Sequence, residues 1–535
     1  MKKFLISVLT SVTLIFSSTA VFAGDVGMAA IGGLVSVAAY NATLKSILEI
    51  GNSARAQVDS RKQDLDENGE DKDEKDRDVV DRVMNRLISD GKYSMRVNSL
   101  PFIWAVNDSE FFNASCYPTD YISVNRGLVL GFNRNEDEIA AVLAHEMTHG
   151  LEQHSAKNYA MAVAQYLGAG FLTMSTDAYI DWNRMSGMVN YSVAKNVTLP
   201  SEYEADELGF YIAASAGFNP GGPAAAMVKM DHYFKYETTN FLEFDPGENL
   251  STYDKRHVNP KDMSDHPETE KREEKLAELL TKYSGGRVSV KKIDSRVYKM
   301  YVDGIERESF RDTKDLLAGE RAYLTAGELA RKYHDEIGLT DEEKSLDEKW
   351  SAVRENFLNA EKKYIQAVRM NADAYVDLKL PSLALTQIKR AELFSNEDNP
   401  AEFLSIRGRI FAANNDFDSA FRDSNKSIEL DPNNFANYLN RADVYKMHGD
   451  FDSAVADAEK SIELEPQKPF AYKFLGELYD QKGNRDLARK NFEQCYKITK
   501  QPRSIPLEYL KEIDPKAAKT IEKDDKKSEK KDGRK

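Results

Sequence analysis

Asp137-Glu138-Ile139-Ala140-Ala141-Val142-Leu143-Ala144-His145-Glu146-Met147-Thr148-His149 reads as one helix, apolar through its middle and carrying two histidines near its end. Asn135 opens it, with Glu138 three residues on as the expected partner in a capping pair. Ile139, Val142, Leu143, Met147 and Leu151 then recur at spacings of three and four, the period of a helix with one buried face. Residues four apart share that face. His145 and His149 can therefore hold one metal ion while Glu146 leans toward it from a neighbouring angle. A buried helix whose histidines merely satisfy core hydrogen bonds would leave Glu146 a costly carboxylate without a task. His154, five residues past His149, reads as a supporting or surface residue rather than a ligand.

A third ligand is sought on a second helix. Ser201 and Glu204 follow Pro200 with the spacing of a capping box, so a helix is expected to start there. Glu202 and Asp206 then lie one turn apart on one face. Glu202 suits coordination, and Asp206 can accept a hydrogen bond from a ligand imidazole and so set its tautomer. Glu204 is expected to be held by the cap, which favours Glu202 over it. Three protein ligands with the fourth position left to water is the layout of a hydrolytic zinc site, with one Zn2+ per chain.

Several stretches together carry a family resemblance. They are Asn113-Ala114, Tyr121 to Leu128, Asp137 to Glu146, Glu202 with Ala205-Asp206, and His266-Pro267 with Arg272. This set resembles the zinc metallopeptidases that include HtpX and the CaaX prenyl proteases, over about residues 80 to 275, and within them the soluble periplasmic type that carries tetratricopeptide repeats. The resemblance implies His145, His149 and Glu202 as metal ligands and Glu146 as catalytic base. His266, in a polar loop after the catalytic helices, is a candidate fourth ligand that could hold the enzyme off, with Arg272 binding substrate or the oxyanion; the alternative is a surface loop with a family-typical turn. Tyr121, Ile122, Ser123 and Val124 are expected to form an edge strand that pairs with extended substrate. Ser115 to Asp120 departs from the Gly-rich approach common among relatives, which bears on the groove rather than the metal.

The C-terminal third is periodic. Ala420, Ala454 and Ala488 stand 34 residues apart, as do Pro432 and Pro466. Asn415, Gly449 and Gly483 keep that register, followed by Asp416, Asp450 and Asn484 as helix caps. Small residues at Gly408, Ala442 and Gly476 recur with aromatic Phe411, Tyr445 and Tyr479. This is the tetratricopeptide pattern, two antiparallel helices per repeat, which stack into a surface for a peptide or protein partner. Clear repeats run 401–434, 435–468 and 469–502, with a degenerate one around 366–400. Cys495 falls where Ser427 and Ser461 fall, a small packing position, and reads as a buried thiol rather than a partner for Cys116.

The 535 residues suggest roughly three domains. A net charge of −15 argues against a nucleic-acid partner. Lys2-Lys3, the apolar run Phe4 to Phe16 and Val21-Phe22-Ala23 read as a secretory signal peptide cleaved after Ala23, so a periplasmic protein is expected. Met28 to Tyr40 is too short to span a membrane, and Tyr159 to Met174 reads as a core or lid helix, with peripheral membrane association its alternative. Within the charged stretch Asp64 to Asp78, Asp64-x-Asp66-x-Asn68-Gly69 matches the first half of a calcium loop, but Lys75 stands where a carboxylate belongs, and the stretch reads as an acidic, solvated linker or helix start.

The expected architecture is mainly α with a small β-sheet: a gluzincin-like metallopeptidase domain followed by a helical repeat solenoid. Its segments are a signal peptide (1–23), an N-terminal segment and linker (24–78), the metallopeptidase domain (79–285), a helical connector (286–365), the repeats (366–502) and a charged tail (503–535), disordered from 514. By resemblance, substrates would be unfolded or stalled envelope proteins, and the repeats would engage an outer-membrane assembly complex. The competing class is a repeat-based chaperone or scaffold with minor proteolysis.

Overall fold

The structure is a computed structural model that describes residues 36–47, 53–98, 100–158, 160–161, 163–164, 199–236, 269–293, 297–310, 317–349, 372–392 and 400–532. The signal-peptide segment, most of the expected lid and His266 lie outside these residues. The chain divides into two compact units, residues 1–358 and 359–535. No helix among the described residues is long and apolar enough to cross a membrane.

The first unit contains helices α1 (Ala54–Asn68) and α2 (Glu74–Ser89), then strands β1 (Ile103–Asn107), β2 (Ala114–Cys116) and β3 (Tyr121–Asn125). Helices α3 (Glu136–Leu151), α4 (Leu199–Ser215), α5 (Gly222–Tyr236) and α6 (Thr269–Tyr283) follow. Strands β4 (Val288–Lys292), β5 (Tyr298–Val302) and β6 (Ile305–Phe310) precede helix α7 (Ala318–Ile337).

Helix α3 is the centre of this unit. The Asn135 side chain caps it, accepting from the amides of Asp137 at 2.9 Å and Glu138 at 3.4 Å. Three carboxylates in the first turn suit the positive end of the helix dipole. Ile139, Leu143 and Met147 are fully buried, each worth about 1.5–3 kcal/mol by transfer from water. Glu138 does not close the cap as expected. It is buried and receives a hydrogen bond from Lys229 of α5 at 2.8 Å, while Lys229 also pairs with Glu320 of α7 at 2.9 Å. A helix covered on all sides brings its third residue into the core, where it meets a distant lysine instead of its own N-terminus.

Helix α4 crosses α3 at the histidines. Gly209 makes this approach possible, since a Cβ there would lie 2.9 Å from the backbone nitrogen of His145. Ser201 and Glu204 stand inside α4 rather than at a cap, and Pro200 occupies its second position, where a missing amide costs nothing.

The first sheet has the order β1-β3-β2, with β3 parallel to β1 and antiparallel to β2. Tyr121 to Val124 is therefore the central strand, not an edge, and all four residues are buried. The short β2 holds the edge beside α3. Asp64 anchors α1 to this sheet, accepting from the Tyr121 hydroxyl at 2.5 Å, the Ser123 hydroxyl at 2.8 Å and the Asn107 amide at 3.1 Å. Asp64, Asp71 and Asp76 are buried rather than solvated, and the stretch contains the alternative expected of it, a helix start, with Asp73 capping α2 through the amide of Lys75.

The expected helical connector contains a three-stranded antiparallel meander, order β4-β5-β6. Its β5–β6 turn is Asp303-Gly304, both with positive φ (52° and 75°), the conformation that an Asp-Gly hairpin favours. Val288, Met300 and Val302 join the core that surrounds α3, and Glu273 of α6 accepts from Tyr298 and Tyr323 at 3.0 and 3.1 Å.

In the second unit, paired helices repeat: α8 (Pro400–Ala413) with α9 (Phe417–Leu430), α10 (Phe435–His448) with α11 (Phe451–Leu464), and α12 (Pro469–Gln481) with α13 (Arg485–Thr499). Asp416, Asp450 and Asn484 each cap the second helix of a pair through the amide three residues on, at 3.2, 3.1 and 3.2 Å. Ala420, Ala454 and Ala488 are fully buried at the crossings. Arg407–Asp423 and Arg441–Asp457 tie the two helices of successive pairs at 2.5 and 2.7 Å.

The tail is ordered further than its composition suggests. Helices α14 (Leu507–Ile513) and α15 (Pro515–Asp532) continue the stack. Ile505, Tyr509, Leu510 and Ala518 cover Phe492 and Cys495, giving the last repeat the capping that a solenoid end requires. Both cysteines are buried free thiols.

Because Gly209 sets the α3–α4 separation, Gly209→Ala should lower the stability of the first unit by about 1–3 kcal/mol through overpacking. Thermal unfolding of the full chain measures it, and an unchanged midpoint would show that the crossing has slack.

Candidate active site

Three side chains converge where α3 meets α4. The Nε2 atoms of His145 and His149 lie 3.0 Å apart. Glu202 places Oε2 at 3.4 Å from the first and Oε1 at 3.3 Å from the second. One donor atom from each of the three residues lies within 4.8 Å of the others. All three are buried, with 6%, 8% and 2% exposure. Two imidazole lone pairs and a carboxylate facing one another in a buried site call for a cation between them. The set of two nitrogens and one oxygen fits zinc, and His145, His149 and Glu202 would hold it.

The histidine rings are held from behind by different means. Asp206 Oδ1 lies 3.0 Å from His145 Nδ1, so the proton rests on Nδ1 and Nε2 faces Glu202. His149 turns its Nδ1 to His154 Nδ1, at 3.0 Å, and His154 Nε2 lies 3.2 Å from Glu204 Oε2. Burial and the charge of Arg272 disfavour protonated His145, but Asp206 and Glu202 outweigh them and push its pKa up to about 9. Burial instead leads at His149 and lowers its pKa. Burial opposes the charge of Asp206, yet the Arg272 guanidinium holds its carboxyl well below the usual range.

Arg272 has a different task from the one expected of it. It is 1% exposed and grips Asp206 through two hydrogen bonds of 2.7 Å, from Nε and Nη2, while Nη1 lies 3.0 Å from Glu202 Oε2. It neutralises the two buried carboxylates and fixes their angle toward His145.

Glu146 is 2% exposed, and its Oε2 accepts from the backbone N–H of Cys116 in β2 at 2.9 Å. This contact ties the edge strand to the helix beside the histidines. Sequence reasoning missed it because a backbone donor leaves no trace in residue identity. It missed the His154–Glu204 contact for another reason. Helix α3 ends at Leu151, and Gln153 adopts a positive φ of 58°, which folds His154 back toward His149. Beside Glu146 lies a small apolar recess lined by Leu128, Val142, Phe210, Met227, Met230 and Leu276.

Residues 74–280 match the model of Peptidase family M48, and 425–456 and 471–502 match tetratricopeptide-repeat models. Over 116 residues the chain is 33% identical to Mitochondrial metalloendopeptidase OMA1 of Arabidopsis thaliana, covering 20% of this chain and 21% of that protein. It is 24% identical over 170 residues to the Putative beta-barrel assembly-enhancing protease of Vibrio cholerae, covering 30% of this chain and 34% of the relative. The chain thus spans about a fifth to a third of these relatives. Among solved structures, MamA overlaps 31% of this chain and 97% of its own, at 24% identity and a TM-score of 0.21.

Removing Arg272 leaves Asp206 and Glu202 as buried, uncompensated charges. Arg272→Met should therefore cost about 3–5 kcal/mol of stability. Arg272→Lys should recover little of it, because an ammonium cannot bridge both carboxylates in the guanidinium's planar geometry. Chemical unfolding of the three proteins tests this, and equal stability of the Met variant would refute it.

Proposed function

Since residues 74–280 form a Peptidase family M48 domain, we propose that this chain is a zinc-dependent endopeptidase whose repeats bring it to protein partners or clients. The observation that carries the reading is the convergence of His145, His149 and Glu202 with the Glu146 carboxylate beside them. A zinc ion bound there would polarise a peptide carbonyl and make water a better nucleophile at neutral pH. Glu146 takes the proton from the attacking water and returns it to the leaving amine. The Cys116 amide holds one of its oxygens, so the base keeps a fixed orientation against the edge strand. Asp206, Arg272 and Glu202 form a rigid frame that keeps His145 in one tautomer.

Substrate lies along β2 rather than along Tyr121 to Val124. Cys116 directs its amide away from β3, to Glu146, and Ala114 shares its parity on the strand. Ala114, itself 2% exposed, thus turns its backbone groups away from β3, the side from which an extended chain would pair once they are uncovered. Such pairing reads extended conformation more than residue identity.

Backbone pairing suits unfolded or stalled proteins, and the N-terminal signal pattern supports export to the periplasm. The stacked repeats support a protein partner. The name of the Vibrio cholerae relative supports a partner in outer-membrane protein assembly.

Digestion of casein by the purified chain, compared with Glu146→Gln and with zinc measured on both, tests the reading. Zinc near one per chain is expected in both. Cleavage should fall by at least about 10²-fold in the variant, the usual contribution of a general base. A wild-type chain that binds no zinc would overturn the proposal.

A further inference from the structure

Three carboxylates of α4 serve the histidine cluster, and one of them does so from the surface. Glu202 and Asp206 are buried, but the Glu204 side chain is 58% exposed. It meets His154 Nε2 at 3.2 Å, and His154 Nδ1 meets His149 Nδ1 at 3.0 Å. His154 itself is 2% exposed. Asp206 and Arg272 reach His145 and Glu202, and on the far side of the cluster His149 Nδ1 meets His154.

The proton order along this line is determined by what its two ends require. An ionised Glu204 only accepts, so His154 donates from Nε2–H and keeps a lone pair on Nδ1. That lone pair accepts from Nδ1–H of His149, which leaves His149 Nε2 bare on the side facing Glu202 and His145 Nε2. Reversing the order would place a proton on Nε2, inside the ligand cluster. The chain carboxylate–imidazole–imidazole therefore selects the one tautomer of His149 that coordinates.

We propose that His154 and Glu204 form a positioning relay that orients His149 for metal binding, the two-residue counterpart of the direct contact between Asp206 and His145. The relay rests on the zinc reading of the site. It assigns to His154 a task that neither ligation nor core packing provides, and it makes a solvent-facing residue of α4 a contributor to metal affinity. Gln153 is part of the device, since its left-handed backbone turns the chain after α3 so that His154 comes back over His149.

The test is a double-mutant cycle read as zinc affinity, by competition of the full chain with a chelating indicator. Outer contacts of this kind are worth roughly 10–100-fold in metal affinity. His154→Ala should lose about that factor. Glu204→Ala, which changes a mostly exposed side chain and should leave the fold intact, should lose roughly tenfold. The double variant should bind no more weakly than His154→Ala alone, because Glu204 acts only through His154. His154→Asn, which can still accept and donate, should recover part of the loss. A merely structural role of His154 predicts instead no effect of Glu204→Ala. Unchanged affinity in Glu204→Ala, or additivity in the double variant, with zinc bound to wild type, overturns the relay alone. Failure of the wild type to bind zinc overturns the site reading and the relay with it.

Discussion

The grip of Arg272 on Asp206 and Glu202 is the constraint on which the site depends. Two carboxylates one turn apart on α4, buried beside two histidines, would repel each other and the core around them without a fixed positive charge. A guanidinium answers both at once, since its planar edge donates two parallel hydrogen bonds to Asp206 while another nitrogen reaches Glu202. The residue comes from α6, so this ionic knot also draws a third helix onto the crossing of α3 and α4. Helix packing and ligand geometry are thereby one problem rather than two.

Around that knot the structure provides two kinds of support. One is steric: Gly209 lets α4 approach the His145 backbone, and Gly150 lies where a side chain would meet Phe102 at 2.8 Å. The other is polar and long-range: Lys229 between Glu138 and Glu320, and Asp64 beneath the sheet. Each polar contact joins segments far apart in the chain. Asp64 and the Glu273–Tyr298 contact in this way place the acidic stretch before α2 and the meander after α6 in the catalytic unit rather than in linkers.

The repeats follow a different logic. Their contacts run between neighbours, and the same cap, small residue and Arg–Asp pair recur in successive copies. Such an array needs only a covered end, which α14 and α15 supply with an apolar face that the charge-rich tail conceals from a composition count.

The sequence alone determined what depends on spacing within one element. The helical period around His145, Glu146 and His149, the placing of Glu202 and Asp206 one turn apart, and the 34-residue repeat all follow from backbone geometry that neighbours in sequence impose. The tertiary structure decided what each side chain meets. Glu202, Glu204 and Asp206 look alike in sequence, yet one faces both histidines, one reaches His154 and one is bound by Arg272. Tyr121 to Val124 reads as an open edge until β1 and β2 take both its sides. Spacing fixes the direction in which a residue leaves its helix or strand, whereas its partner arrives from tens of residues away, and only the folded packing brings the two together.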